Sequence, residues 1–169
     1  MKWYTIEDEF LNWLRTYEKR IPNNYYGPNK FKPFFGVLFE IDDIAYISQI
    51  SHPKEKHNKL KENLDFVKLY NENKLLAVIN LNYMFPVPKR KLIEVKYKYI
   101  DKFRTFETDK EREKYITLLK KELKEMNKKN LNEKAKRVYK LKYSNPEHRV
   151  SQRSFDFKEL EKKCNEYEK

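Results

Sequence analysis

Residues 47–58, ISQISHPKEKHN, gather Ser51, His52, Lys54, Lys56 and His57 around Pro53. Such a group suits a phosphate, because hydroxyl and ammonium donors both stabilise phosphoryl oxygens and loops at strand ends are where functional side chains collect. A Ser-His-Pro-Lys string is also what an ordinary turn looks like, and on that reading His52 only shapes the chain. Lys32, directly before Pro33, is unremarkable alone. Its interest depends on what the fold sets opposite it.

The histidines, His52, His57 and His148, and the single cysteine, Cys164, show no metal-ligand spacing. The expected chemistry therefore runs on side chains, with no cofactor. Cys164 has no partner for an internal disulfide, and it sits among lysines and glutamates of what reads as a surface helix, where an inert role is expected.

The elements that must position these residues follow from periodicity. Residues 2–6 alternate and are β-prone, and EDEFLNWLRTYEKR places Phe10, Leu14 and Tyr17 on one helical face. The next segment, IPNNYYGPNKFKP, carries three prolines and one of the two glycines, so it is a turn-rich loop that delivers Lys30 and Lys32 to a strand. FFGVLFEI, IAYISQI, LDFVKLY and LLAVINL read as strands with short connections, hence antiparallel neighbours. KLIEVKY is a further apolar stretch, and Pro86 and Pro88 keep the connection before it out of a central-strand position.

Beyond Thr108 the period turns helical. Thr108 and Glu111 suggest a capping box, and Tyr115, Leu119, Leu123 and Met126 form an apolar stripe ending near Asn130. LNEKAKRVYKLKY is a second basic helix, and a last one opens at Asp156 with Glu159 three residues on. No repeat or linker divides the chain, so the expectation is one α+β domain over residues 1–169.

The 38 Lys and Arg against 26 Asp and Glu give a formal charge of +12, which favours polyanionic partners, nucleic acid first. Residues 110–142 hold thirteen Lys and Arg against five Asp and Glu, a net of +8. Tyr115, Tyr139 and Tyr143 lie among them and suit either base stacking or the core; Tyr139 is read as core. No apolar run approaches the roughly twenty residues of a spanning helix, and the opening MKWYTIEDEF lacks a signal-peptide core. A soluble, cytoplasmic protein with no membrane partner is expected.

Five segments in order resemble the ToxN/AbiQ family, the endoribonuclease toxins of type III toxin-antitoxin and phage abortive-infection systems. They are WYTIEDEFLNWL, KFKPFFGVLFEI with its lysine before the strand, ISHPKEKHN, VINLNYMFPVP and SFDFKELEKKCNEY. The resemblance implies a compact fold, a strongly twisted antiparallel β-sheet flanked by helices as in Kid/MazF-type RNase toxins. It also implies metal-independent RNA cleavage, with the 2'-hydroxyl attacking the adjacent phosphate to leave a 2',3'-cyclic phosphate and a 5'-hydroxyl. The implied partners are an antitoxin RNA pseudoknot in a ring-like toxin-RNA assembly and cellular or phage RNA as substrate, with no protein cofactor.

Carried over residue by residue, the resemblance puts Lys32, Ser51 and Lys54 in the active site. Lys32 would transfer a proton or stabilise charge, because a desolvated lysine near another ammonium has a depressed pKa; Lys54 would supply that second charge and hold the phosphate. Ser51 would donate to a non-bridging oxygen or orient the 2'-hydroxyl. Family members often carry serine where this chain has His52, so His52 is a candidate for proton transfer. The family's site tyrosines match Tyr26, or its neighbour Tyr25, and Tyr115. Phe10 stands where some members have tyrosine, and its helical face assigns it to the core. The competing reading is a non-catalytic RNA-binding module using the helices of residues 110–142. A DNA-binding protein lacks a helix-turn-helix signature.

Overall fold

Strand β1 (Lys2–Ile6) buries Trp3 and Ile6, and its outer neighbours are antiparallel: β2 (Phe34–Gly36) on one side and β8 (Leu92–Glu94) on the other. The structure is a computed structural model and describes residues 1–167. Helix α1 (Asp8–Arg15) follows β1 and is shorter than its apolar pattern suggests; it buries Phe10, Leu11 and Leu14, whereas Tyr17 lies beyond its end, half exposed and edge-on to Trp13. Phe10 is a core residue, as expected, with its ring against Tyr167.

The segment FFGVLFEI is interrupted rather than continuous. It forms β2, an irregular piece, and then β3 (Glu40–Ile41), but all of it faces one run of chain. That run begins as β4 (Ile44–Ile47), which pairs with β3; Leu38 and Phe39 bond Tyr46, and Phe35 bonds Ser48. Residues 34–51 are therefore a hairpin whose turn places Asp42 at a positive φ of 51°. Close approach explains the glycine in it, since a Cβ at Gly36 would stand 2.8 Å from Cγ2 of Ile47.

Strand β7 (Phe85–Pro88) covers the other side of β4 as an edge, which accommodates Pro86 and Pro88 because a proline cannot donate to a further strand. Strands β5 (Phe66–Asn71) and β6 (Lys74–Asn80) form a separate hairpin, with Glu72 at positive φ in its turn. Ser51 pairs with Val78 and so joins that hairpin to the β4 run. The antiparallel array is thus three small sheets stitched through residues 44–51, the segment that ends at the polar loop.

Helix α2 (Glu55–Lys59) is a single turn in that loop. Helix α3 (Asp109–Asn127) starts as expected, the Thr108 hydroxyl accepting from the Glu111 amide. Its buried stripe differs: Leu119, Glu122 and Met126 are buried, and Leu123 is only partly so. The Trp3 indole donates to the Leu119 carbonyl at 3.1 Å and locks α3 against β1.

Helix α4 (Leu131–Ser144) follows an Asn130 held in the left-handed region. Tyr139 packs in an aromatic cluster with Tyr46 and Phe157, and its neighbour Tyr143 joins it edge-on while donating to Asp156. A short helix, α5 (Arg149–Arg153), was unexpected in sequence read as loop; its start is capped by the His148 side chain. Helix α6 (Phe157–Glu166) opens at Asp156, whose carboxylate accepts from the Glu159 amide.

Cys164 corrects the surface reading of α6. It is 1% exposed and 3.3 Å from the Pro86 carbonyl, on the face of the helix that covers β7, and burial pushes its thiol up to about 12. Such a thiol is inert. Among the described residues no helix is long and apolar enough to cross a membrane.

Candidate functional site

The proline-rich loop before β2 is organised by one buried side chain. Asn24 accepts from the Thr5 hydroxyl (2.8 Å) and the Ile6 amide (3.3 Å), and its amide donates to the Ile6 carbonyl and to Asp8. The Asn24 carbonyl in turn accepts from the Lys32 amide at 2.8 Å. From the other side Gln49 donates to the Lys32 carbonyl (2.7 Å) and the Asn23 carbonyl (2.9 Å), while its oxygen accepts from the Tyr26 hydroxyl at 2.8 Å. Lys32 is thereby clamped between β1 and the β4 run, although it lies in no regular strand.

Ser51 is fixed by its two backbone bonds to Val78, 2.8 and 2.9 Å. The chain then leaves the sheet through His52 and Pro53, and Lys54 caps α2 with its amide, which donates to Nδ1 of His57 at 2.9 Å. That bond turns His57 inward onto Phe66, and burial followed by the charges of Lys56, Lys54 and Lys68 lowers its pKa. His57 serves the loop's shape, whereas His52 is only partly covered.

Three concavities meet around these residues. One, of about 420 Å³, is lined by Lys32, Tyr26, Gln49, Ser51, Arg20 and Tyr83. A second, of about 470 Å³, includes Lys32, Tyr26, His52, Arg104, Tyr115 and Glu122. A third, of about 410 Å³, includes Ser51, His52, Lys54, Lys56 and Arg153. Lys32 and Tyr26 belong to the first two, Ser51 to the first and third, and His52 to the second and third. The five residues Lys32, Ser51, His52, Lys54 and Tyr26 thus share one groove, with Lys54 confined to its far lobe. Tyr26, not Tyr25, faces the groove: Lys32 Nζ is 5.4 Å from the Tyr26 ring centre, and Tyr25 donates instead to the Phe103 carbonyl.

The electrostatics favour neutral forms. Burial lowers the Lys32 pKa, and the facing Glu122 opposes the shift. Desolvation, rather than the Lys54 charge expected from the resemblance, depresses Lys32, and Lys54 stands a lobe away. Burial and then the Lys32 charge lower His52 below its ordinary 6.5. Tyr115 is pushed up to about 12 by burial, and its hydroxyl donates to the Phe31 carbonyl at 3.2 Å, so it buttresses the backbone next to Lys32.

The groove also holds residues that no sequence motif singles out. Glu122 is 2% exposed, and burial holds its carboxyl up to about 8. Its signal was present: it falls between Leu119 and Met126 at helical spacing, where an apolar side chain is expected. Arg104 stacks 4.6 Å over the Tyr115 ring centre and is tied to Glu111 at 2.9 Å. Gln49, Arg20 and Tyr83 reach the groove from elements whose periodicity says nothing about it. Among the described residues no group of three His, Cys, Asp or Glu is placed to hold a metal ion.

A family model described as toxin ToxN of type III toxin-antitoxin systems matches residues 2–165. Endoribonuclease ToxN of Pectobacterium atrosepticum is 34% identical over 96 residues, which cover 52% of this chain and 54% of that protein. The chain spans about half the length of the curated relatives it matches. Among solved structures, AbiQ, described as a lactococcal anti-phage endoribonuclease of the type III toxin-antitoxin system, is similar with a TM-score of 0.77 at 22% identity, over 98% of this chain and 96% of that one; this likeness is one of fold. A structure described in terms of selective toxin inhibition by a non-coding RNA pseudoknot has a TM-score of 0.77 at 26% identity, over 99% of this chain and 98% of that one.

Proposed function

The chain belongs to the ToxN family of type III toxin-antitoxin toxins, and from that premise we propose that it is a metal-independent endoribonuclease toxin held inactive by a repeated RNA pseudoknot. The observation that carries this reading is the half-buried Lys32, its ammonium destabilised by burial, at the junction of concavities that also hold Ser51 and His52. The groove is lined chiefly by cations and neutral donors, which suit a phosphodiester better than a divalent cation.

In the proposed reaction a base takes the proton of a 2'-hydroxyl. The 2'-oxygen then bonds to the adjacent phosphorus, the bond from phosphorus to the 5'-oxygen breaks, and that oxygen takes up a proton. The products are a 2',3'-cyclic phosphate and a 5'-hydroxyl. A lysine with a lowered pKa has a neutral fraction that accepts a proton near neutrality, and its protonated form offsets the phosphorane charge. His52, with its pKa also lowered, offers a neutral imidazole as the second proton-transfer group. In this reading Ser51 donates to a non-bridging oxygen and Lys54 holds the phosphate; both line the third concavity. Tyr26 and Tyr115 act on Lys32 through the ring face and the Phe31 backbone.

The antitoxin RNA would occupy the same basic groove, in a ring-like assembly, and cellular or phage RNA would be the substrate once it is displaced. Lys110, Lys114 and Lys121 of α3 line a further shallow concavity with Lys74, a surface suited to an extended phosphate backbone. That face alone would serve the non-catalytic RNA-binding reading. The deciding experiment is RNA cleavage in excess EDTA with the ends identified: cyclic phosphate and 5'-hydroxyl ends support the proposal, and 5'-phosphate ends or loss of activity reject it.

A further inference from the structure

Lys32 stands where two unlike lobes of the groove meet. The first, of about 420 Å³, sets Arg20, Tyr26, Gln49 and Ser51 around the lysine and has no carboxylate among its lining residues. Arg20 is a fixed cation there, bonded to Glu18 at 2.8 Å and stacked 5.0 Å over the Phe155 ring centre. The second lobe, of about 470 Å³, is walled by Trp3, Phe31, Ile50, Leu118 and Leu119, with Glu122 among them. Both volumes lie in the range of small-molecule pockets, about 300–1,000 Å³. The first lobe therefore suits a phosphate, which guanidinium and hydroxyl donors stabilise. The second suits a short apolar group, and its carboxyl offers a phosphate no counter-charge.

The amine between the lobes is open to reaction. The buried Lys91 is paired with Glu7 at 2.7 Å, and the buried Lys68 donates to the Asn58 carbonyl at 3.3 Å. The half-buried Lys32 instead meets the face of Tyr26, 5.4 Å from the ring centre, and among the described residues it belongs to no salt bridge. Burial lowers its pKa against the pull of Glu122, whereas hydrogen bonds to Glu94 and Glu166 raise those of Lys2 and Lys163. The unprotonated amine is the nucleophilic form of a lysine.

We propose that Lys32 is a modification site for small acyl phosphates, whose phosphate lies in the first lobe and whose acyl group lies in the second, with the amine attacking between them. In that step the lysine nitrogen bonds to the acyl carbon. The bond from that carbon to the phosphate oxygen breaks, and inorganic phosphate leaves with the electron pair. The nitrogen sheds one proton to the leaving phosphate or to water, and a neutral amide remains. Acylation thus takes away both the base and the positive charge. The modification stands on the groove alone; that it silences the protein, with no antitoxin needed, rests on the ribonuclease reading above.

The test incubates RNA-free wild-type protein with acetyl phosphate and follows individual lysines by peptide mass spectrometry. Lys32 should be acetylated about tenfold faster than Lys2 and Lys163, the gain in free amine that a one-unit difference in pKa gives. Inorganic phosphate should slow the reaction at Lys32 and leave Lys2 unaffected. With the N-hydroxysuccinimide ester of acetic acid, which carries no phosphate, the advantage of Lys32 should shrink. Glu122→Gln removes the group that opposes the fall in pKa and should speed acetylation of Lys32, whereas Arg20→Gln should slow it. Equal rates at Lys32 and Lys2, or a Lys32 rate indifferent to both inorganic phosphate and Arg20→Gln, would overturn the proposal. RNA cleavage by the treated protein should fall in proportion to the fraction of Lys32 acetylated. Cleavage surviving full acetylation would instead reject the assignment of the catalytic lysine and leave the modification site standing.

Discussion

Glu122 and Lys32 line the same concavity with opposite formal charges, yet no salt bridge closes between them and burial pushes each toward its neutral form. A closed ion pair would hold the lysine protonated and spend its charge on a partner. The open arrangement keeps the amine available to a substrate, at a cost to the fold.

That cost predicts a pH-dependent gain on replacing Glu122. In the unfolded chain the carboxyl ionises near 4.5, but in the fold it stays protonated up to about 8, so between those values the native state binds the extra proton. Stability attributable to Glu122 therefore falls as pH rises through that window, by at most about 1.4 kcal/mol per unit. Glu122→Gln should melt higher than wild type by a margin that widens from pH 5 to pH 8 and then levels off. A margin independent of pH would contradict the shift.

Asn24 should matter to both stability and turnover. Removing its side chain strands the Thr5 hydroxyl, the Ile6 amide and the Ile6 carbonyl, all of which it engages. Asn24→Ala is expected to cost about 1–3 kcal/mol and, by loosening the loop that holds the Lys32 amide, to lower kcat more than RNA affinity. Denaturant unfolding and single-turnover cleavage check the two parts separately, and a variant with wild-type kcat would show that the clamp on Lys32 is not needed.

For His52 the signature is a pH profile. Its pKa lies below 6.5 because of burial and then the Lys32 charge, so kcat/KM for RNA cleavage, which reports the free enzyme, should fall on the acid side with a midpoint below that value as the imidazole is protonated. His52→Gln should flatten this acid limb and reduce the plateau. An acid limb unchanged in the variant would remove His52 from proton transfer.

Much of this was legible in the sequence where a local rule governs. The Thr108 and Asp156 caps, the edge position of Pro86 and Pro88, and the hairpin turns at Asp42 and Glu72 each follow from short-range chemistry. The break within FFGVLFEI was not, because β2 bonds β1 on one side and the β4 run on the other, and only tertiary pairing dictates that switch. Cys164 and Glu122 were misread or missed for one reason: a helix dense in lysine and glutamate hides which of its polar-looking positions faces inward. Of the site, Lys32, Ser51, His52 and Lys54 came from a family resemblance on short motifs, and the structure brings them into one groove. Gln49, Arg104 and Glu122 reach it from distant elements and carry no local signature.

The central claim is that Lys32 performs chemistry rather than merely attracting RNA. The direct measurement is cleavage and binding of one RNA by Lys32→Ala protein, with folding verified by its melting curve. The expected result is loss of cleavage by about a hundredfold or more with RNA affinity reduced only modestly, since most of the basic surface is untouched. Cleavage retained at near wild-type rate, or affinity and cleavage falling together in proportion, would contradict the account.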